Sequence, residues 1–143
     1  MMSGIRNKNT QPERLIRSQL FARGYRYRLH AKGMAGKPDL VFPKYKAVIF
    51  VHGCFWHCHR CHLFKWPQTR SEFWQAKISS NMERDQLNRI RLEADGWRIG
   101  VVWECALKGK FKLDLTALID QIDGWLRSNI IHSQWFSTQQ EPL

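Results

Sequence analysis

Residues 51–62 read Val-His-Gly-Cys-Phe-Trp-His-Cys-His-Arg-Cys-His and hold four of the six histidines and three of the four cysteines of a 143-residue chain. Imidazole and thiolate are the usual protein ligands of zinc, and imidazole is also the common proton carrier near neutral pH. Cys54, Cys58, Cys61 and the distant Cys105 could close a four-sulfur site, or one of them could give way to His57, His59 or His62; spacing leaves both open. A closed four-ligand site would be structural, fixing a loop with little apolar content of its own. The competing readings are reduced buried cysteines, or a Cys58–Cys61 redox pair in a segment that lacks the strand-to-helix character of such pairs. Phe55 and Trp56 lie among these groups and must be either buried or pressed against something flat.

A second chemical signal is Asp39. Pro38-Asp39 opens an apolar run, which puts a carboxylate where the pleat would otherwise be buried, although Asp is also common at strand starts. A carboxylate near imidazoles on a basic protein is the equipment of metal-assisted phosphodiester hydrolysis. Mg²⁺ prefers carboxylate and water, so one carboxylate with a backbone oxygen and phosphate can hold it.

The elements that must position these groups follow from period and punctuation. Thr10-Gln11-Pro12-Glu13 is a capping box that opens a helix with Leu15, Ile16, Leu20 and Phe21 as its stripe and Gly24 as its stop. Glu13 is fully accounted for by that box. Residues 25–29 alternate as a half-exposed strand, and 31–37 form a loop. Residues 38–42 and 46–51, separated by Pro43-Lys44-Tyr45, predict an antiparallel hairpin whose second strand is buried on both faces. Asp39 then falls opposite Ile49, and His52 lies roughly 10 Å farther along, so the chain after Val51 must fold back for the two to meet. Thr69-Arg70-Ser71-Glu72 predicts a second capping box, opening a helix to about Asp95 with Gly96 as its end. Trp97, Ile99, Val101 and Trp103 alternate along a strand that delivers Cys105. Leu115, Leu118, Ile119, Ile122 and Trp125 mark a last amphipathic helix. Trp66, Trp74, Trp97, Trp103 and Trp125 are core or near-core. The expectation is one α/β domain over residues 1–143, a small mixed central sheet flanked by helices, with an arm at about 1–9 and an irregular tail at about 128–143.

Lys and Arg number 23 against 12 Asp and Glu, for a net charge of +11. A polyanion is the natural partner, nucleic acid first. No apolar run approaches a membrane span and no signal-peptide pattern opens the chain, so a cytoplasmic protein without a membrane partner is expected. Reduced cysteines in that compartment point to metal before disulfide.

The ordered motifs Gly36-Lys37-Pro38-Asp39-Leu40-Val41, Ala47-Val48-Ile49-Phe50-Val51-His52-Gly53-Cys54-Phe55-Trp56-His57, His59-x-Cys61, Leu63-Phe64-Lys65-Trp66-Pro67, Asn81-x-x-Arg84-Asp85, Gly96-Trp97-Arg98 and Val102-Trp103-Glu104-Cys105-Ala106-Leu107 closely resemble the very short patch repair (Vsr) DNA mismatch endonucleases. The resemblance covers about residues 2–109. It implies a restriction-endonuclease-like core and Mg²⁺-dependent nicking of double-stranded DNA on the 5′ side of the T in T·G mismatches left by 5-methylcytosine deamination. It further implies that Asp39 is the Mg²⁺ carboxylate, with the Val51 backbone carbonyl beside it. His52 and His57 would act through metal-bound water, and Glu13 would support His57 from the first helix. Cys54, His59, Cys61 and Cys105 would be the structural zinc ligands. Phe55 and Trp56 would enter the duplex beside the mismatch, a step that is easier to open than a matched one, with Met2 approaching from the arm. A monomer, working alongside mismatch-repair proteins, is the expected state.

Three departures from the family pattern bear on these roles. Val51 stands where a hydroxyl residue is frequent, so only a backbone ligand survives there. Cys58 offers zinc a competing sulfur. The basic residues that commonly precede the Met-Ser-x-Ile-Arg motif are absent, which implies a weaker hold on the far side of the DNA or a longer natural N-terminus. Two other functions compete with the nicking enzyme: a non-catalytic zinc-containing DNA-binding module with a structural Asp39, and a general nuclease of the same fold. His30, His62 and His132 receive no role, because a lone histidine is usually a surface or satisfied residue.

Overall fold

A computed structural model describes residues 10–54, 57 and 67–137. Thr10 caps α1 (Gln11–Ala22), its hydroxyl accepting from the Glu13 amide at 3.4 Å, and Gly24 takes a φ of 96° just past the helix end. Ile16 and Leu20 are fully buried, whereas Phe21 lies at the margin of the stripe, half exposed under the Arg26 guanidinium. The strand expected at 25–29 contracts to β1 (Arg28–Leu29). Tyr25 leaves it to pack in the core.

β2 (Leu40–Phe42) and β3 (Ala47–His52) form the expected antiparallel hairpin, but one residue out of the expected register. Lys46 adopts a left-handed backbone, φ 52°, and joins the turn over Pro43–Tyr45 instead of the strand. Phe42 therefore pairs with Ala47 and Leu40 with Ile49, which brings Asp39 level with Phe50, one step closer to the histidines.

β4 (Arg98–Trp103) lies parallel to β3, and their register sets Trp103 beside His52. The order β1-β2-β3-β4-β5 makes one mixed five-stranded sheet among the described residues. Its alternation sorts two cores. Leu40, Phe42, Ala47, Ile49 and Val102 face α1 and α3 (Leu115–Leu126). Val41, Val48, Phe50, Ile99 and Val101 face the other way, with Trp97 and Trp103 packed against them as the alternation predicts.

α2 (Ser71–Ala94) has the expected length and ends before Gly96, φ 87°. The second capping box does not form: Arg70 is the N-cap residue, left-handed at φ 54°, with no side-chain cap. Only Ile78 and Leu92 of its 24 residues are buried, so α2 covers the sheet without packing tightly along its length.

The tail is not irregular throughout. β5 (His132–Trp135) runs parallel to β4. Its sequence His-Ser-Gln-Trp has no apolar alternation, and only Trp135 is buried, against Trp125. Arg98 ties this end together, donating to the carbonyls of Leu126 at 2.8 Å, Trp125 at 3.0 Å and Tyr45 at 3.1 Å. Those carbonyls include orphan acceptors of the α3 C-terminus. Arg98→Met is expected to destabilise the protein by about 2–4 kcal/mol in urea unfolding, since charge-assisted bonds to semi-buried acceptors are lost together. Among the described residues no helix is long and apolar enough to cross a membrane.

Candidate active site

Asp39 stands at the mouth of β2. Its Oδ2 accepts the Val51 amide proton at 2.7 Å across the hairpin. Burial pushes its carboxyl up to about 7, against the pull of that hydrogen bond, and the negative charge of nearby Glu13 pushes the same way. Glu13, from the first turn of α1, is 1 % exposed. Its backbone amide serves the cap, while its carboxylate accepts from Arg17 at 2.9 Å and meets His30 Nε2 at 2.7 Å. The ligand atoms of Glu13, His30 and Asp39 all lie within 4.8 Å of one another. Two carboxylates desolvated side by side are a poor arrangement alone and a good one around a hard divalent cation, so the oxygens of Glu13 and Asp39 fit one.

The second cluster is imidazole-based. His52 ends β3 on the face that carries Phe50, 5.3 Å from that ring. After it the chain folds back as expected, with the His57 amide donating to the Gly53 carbonyl at 3.3 Å. That turn lays the His57 ring on His52, centroids 3.7 Å apart and 6° from parallel. Trp103 meets His52 edge-on at 5.3 Å. Asp85, on the sheet-facing side of α2, hydrogen-bonds His57 Nδ1. An ionised carboxylate only accepts, so Nδ1 carries a proton, and in the neutral ring Nε2 is left with its lone pair. Burial, His57 and Arg89 hold the His52 imidazole well below its ordinary pKa, and it is therefore neutral at pH 7. Its Nδ1 is buried without a hydrogen-bond partner among the described residues. An orphan of this kind costs about 1–3 kcal/mol and marks a group kept for something other than stability.

His30 and Asp39 of the first cluster and all of the second line one cleft of about 1280 Å³ between α2 and the sheet, while Glu13 lies behind that lining. Its rim carries Lys32, Lys37, Lys77, Arg84, Arg89 and Arg91 against the acidic Asp39, Glu83 and Asp85. Such a wall attracts a phosphate backbone and screens little within a narrow cleft. Beyond His52, Cys54 and Cys105 are both fully buried and pack together under Trp103. The Ser137 amide donates to Cys105 Sγ at 3.3 Å.

A profile of the family described as "DNA mismatch endonuclease Vsr" matches residues 1–63. The chain is 45% identical over 125 residues to the DNA mismatch endonuclease Vsr of Escherichia coli K12, covering 87% of this chain and 80% of that protein. It is 46% identical over 122 residues to the type II nicking enzyme V.XorIIP of Xanthomonas oryzae pv. oryzae, covering 84% of this chain and 90% of the relative. The chain belongs to the Vsr family of DNA mismatch endonucleases. A third relative, the type II nicking enzyme V.NmeAIP of Neisseria meningitidis, is 48% identical over 110 residues, 77% of this chain and 79% of its own.

On this Vsr-family fold Asp39, Val51, His52 and His57 come to one cleft as expected. Glu13 does not meet the expected partner: it turns to His30 and Asp39, and Asp85 supplies the carboxylate on His57. The reason is geometric, because α1 packs on the opposite face of the sheet from α2 and reaches only the Asp39 end of the cleft. Met2, Phe55, Trp56, Cys58, His59 and Cys61 lie outside the described residues. Asp85 and His30 are the site residues to which sequence spacing assigns nothing. Asp85 sits on a helix that leaves Phe73, Met82, Leu87 and Ile90 exposed, so its apolar residues do not mark the cleft side.

Proposed function

We propose that the protein nicks double-stranded DNA on the 5′ side of the T in a T·G mismatch, as a Mg²⁺-dependent endonuclease of very short patch repair. The observation that carries this reading is the Asp85-oriented His57 stacked on a neutral His52, in a basic cleft shared with Asp39. The likeness to proteins named mismatch endonuclease and nicking enzyme supports it. Mg²⁺ would be held by Asp39 and the Val51 carbonyl, with Glu13 beside them, and when bound would neutralise charge on the scissile phosphate and the leaving 3′ oxygen.

The residues themselves do the rest. The basic wall of α2 seats the phosphate backbone. Neutral His52 and the Nε2 lone pair of His57 orient the attacking water and accept its proton, and Asp85 stabilises the imidazolium that results. Positive charge on the stacked His57 would further disfavour protonation of His52. Phe55, Trp56 and Met2 are proposed to open and contact the mismatched step.

The sheet with α1 and α3 on one face and α2 on the other is proposed as a restriction-endonuclease-like core. Cys54, His59, Cys61 and Cys105 are proposed to bind structural zinc; the buried pair Cys54 and Cys105 supports two of the four. Zinc would then hold the turn carrying His57 in register with β3. Cys105→Ser is expected to release about one zinc per chain by metal analysis and to lose most nicking, while Cys58→Ser keeps the metal. A monomeric, cytoplasmic enzyme of one domain is the proposed state. The test of the function is a labelled T·G duplex with Mg²⁺: one cut, 5′ of the T, supports it, and a shifted but uncut duplex refutes it.

A further inference from the structure

No spacing in the sequence singles out His30, yet it bonds both the Glu13 carboxylate and the main-chain carbonyl of Asp39. It follows β1 directly and adopts a left-handed backbone, φ 47°, a region that among residues with a side chain Asn, Asp and His enter most readily. Its amide donates to the Asp39 carbonyl at 3.0 Å, which ties this bent residue to the strand entry that carries Asp39. Its ring reaches the other way, placing Nε2 2.7 Å from Glu13 Oε2. The same Glu13 oxygen accepts Arg17 at 2.9 Å. Glu13 also shares a side-chain hydrogen bond with Asp39, and a side chain as long as glutamate needs more than one such hold to keep a single place. His30 and Arg17 supply that hold from two sides. His30 is also fastened to Asp39 through its amide.

We propose that His30 is a positioning residue: its amide and its Nε2–H fix Asp39 and Glu13 relative to each other, so that a two-carboxylate seat for a divalent cation is set before the cation arrives. Either protonation state of the ring can donate from Nε2, so the role does not depend on titration. The proposal rests on the reading that Asp39 holds a divalent cation.

Substitutions separate this role from a merely structural one. Asparagine tolerates the left-handed backbone but is too short to reach Glu13; glutamine fits that backbone less well, but its amide nitrogen can lie where Nε2 does. The probe is Mn²⁺ alone, titrated into the zinc-loaded full chain and followed by the electron paramagnetic resonance of the free ion. The Asp39-dependent site is the binding lost in Asp39→Ala. His30→Ala and His30→Asn are expected to weaken it about tenfold, and His30→Gln to stay within about threefold of wild type. In nicking assays the Mn²⁺ concentration for half-maximal rate should rise in the same order, with the rate at saturating ion little changed. Thermal unfolding midpoints check that each variant is folded, and the Asn and Gln pair decides even if His30→Ala is not. If Asn binds like wild type while Gln is impaired, or if all His30 variants bind alike, the proposal is overturned. Absence of any Asp39-dependent Mn²⁺ in the wild type overturns the underlying metal reading with it, whereas Asp39-dependent binding indifferent to His30 overturns the proposal alone.

Discussion

Asp39→Asn is expected to lower T·G nicking by at least about 10³-fold while making the Mg²⁺-free protein more stable above pH 7. The first effect follows from losing a charged metal ligand worth several kcal/mol of transition-state stabilisation. The second follows from the carboxyl pKa, raised from 3.8 to about 7 in the fold. The native state keeps this proton where the unfolded chain has already lost it, so the folded form gains relative stability at low pH. Stability therefore falls as pH rises from about 4 through about 7, and the loss is complete above 7. The difference of about 3 units sets an upper limit of about 4 kcal/mol. Asparagine resembles the neutral carboxyl, still accepts from Val51, and removes that penalty. Urea unfolding at pH 8 in Mg²⁺-free buffer with zinc in place should show the variant about 2–3 kcal/mol ahead, and at pH 4 level with wild type. Added Mg²⁺ should stabilise wild type and not the variant. A variant less stable than wild type at pH 8 would mean that Asp39 is a structural carboxylate.

His57→Ala and Asp85→Asn form the second pair. Removing the imidazole is expected to cost about 10³-fold in single-turnover nicking, within the range of lost proton-transfer catalysis. Asp85→Asn keeps the shape but lets the ring choose the wrong tautomer, for an expected loss of about 10²-fold with little change in DNA affinity. Because Asp85 acts through the ring, the double variant should be no slower than His57→Ala alone. Multiplying losses would instead mean that Asp85 serves the reaction by a separate contact, such as a cation of its own.

Much of this site was legible because its residues sit at the ends of regular elements. Hydrophobic runs locate β3 and β4, so His52 and the approach to Cys105 follow from period alone. The capping box locates Glu13 at the start of α1. What spacing could not supply were contacts between elements. Lys46 reads as a strand residue, yet its left-handed turn moves Asp39 by one register step. Glu13 satisfies its cap with a backbone amide, leaving its carboxylate free to turn inward, and nothing local says toward which partner. β5 carries little apolar signal because it is held by Val102 and its neighbours in β4, by Arg98 at its approach and by one tryptophan. Only Ile78 and Leu92 of α2 are buried, and the cleft opens between that helix and the sheet.

The most direct test is strand-resolved nicking of a duplex containing a single T·G mismatch, compared with its matched T·A counterpart, in Mg²⁺ with wild type and Asp39→Asn. One product, cut 5′ of the mismatched T, absent from the matched duplex and absent with Asp39→Asn, is the predicted result. Equal cutting of both duplexes, or binding without cutting, would contradict it.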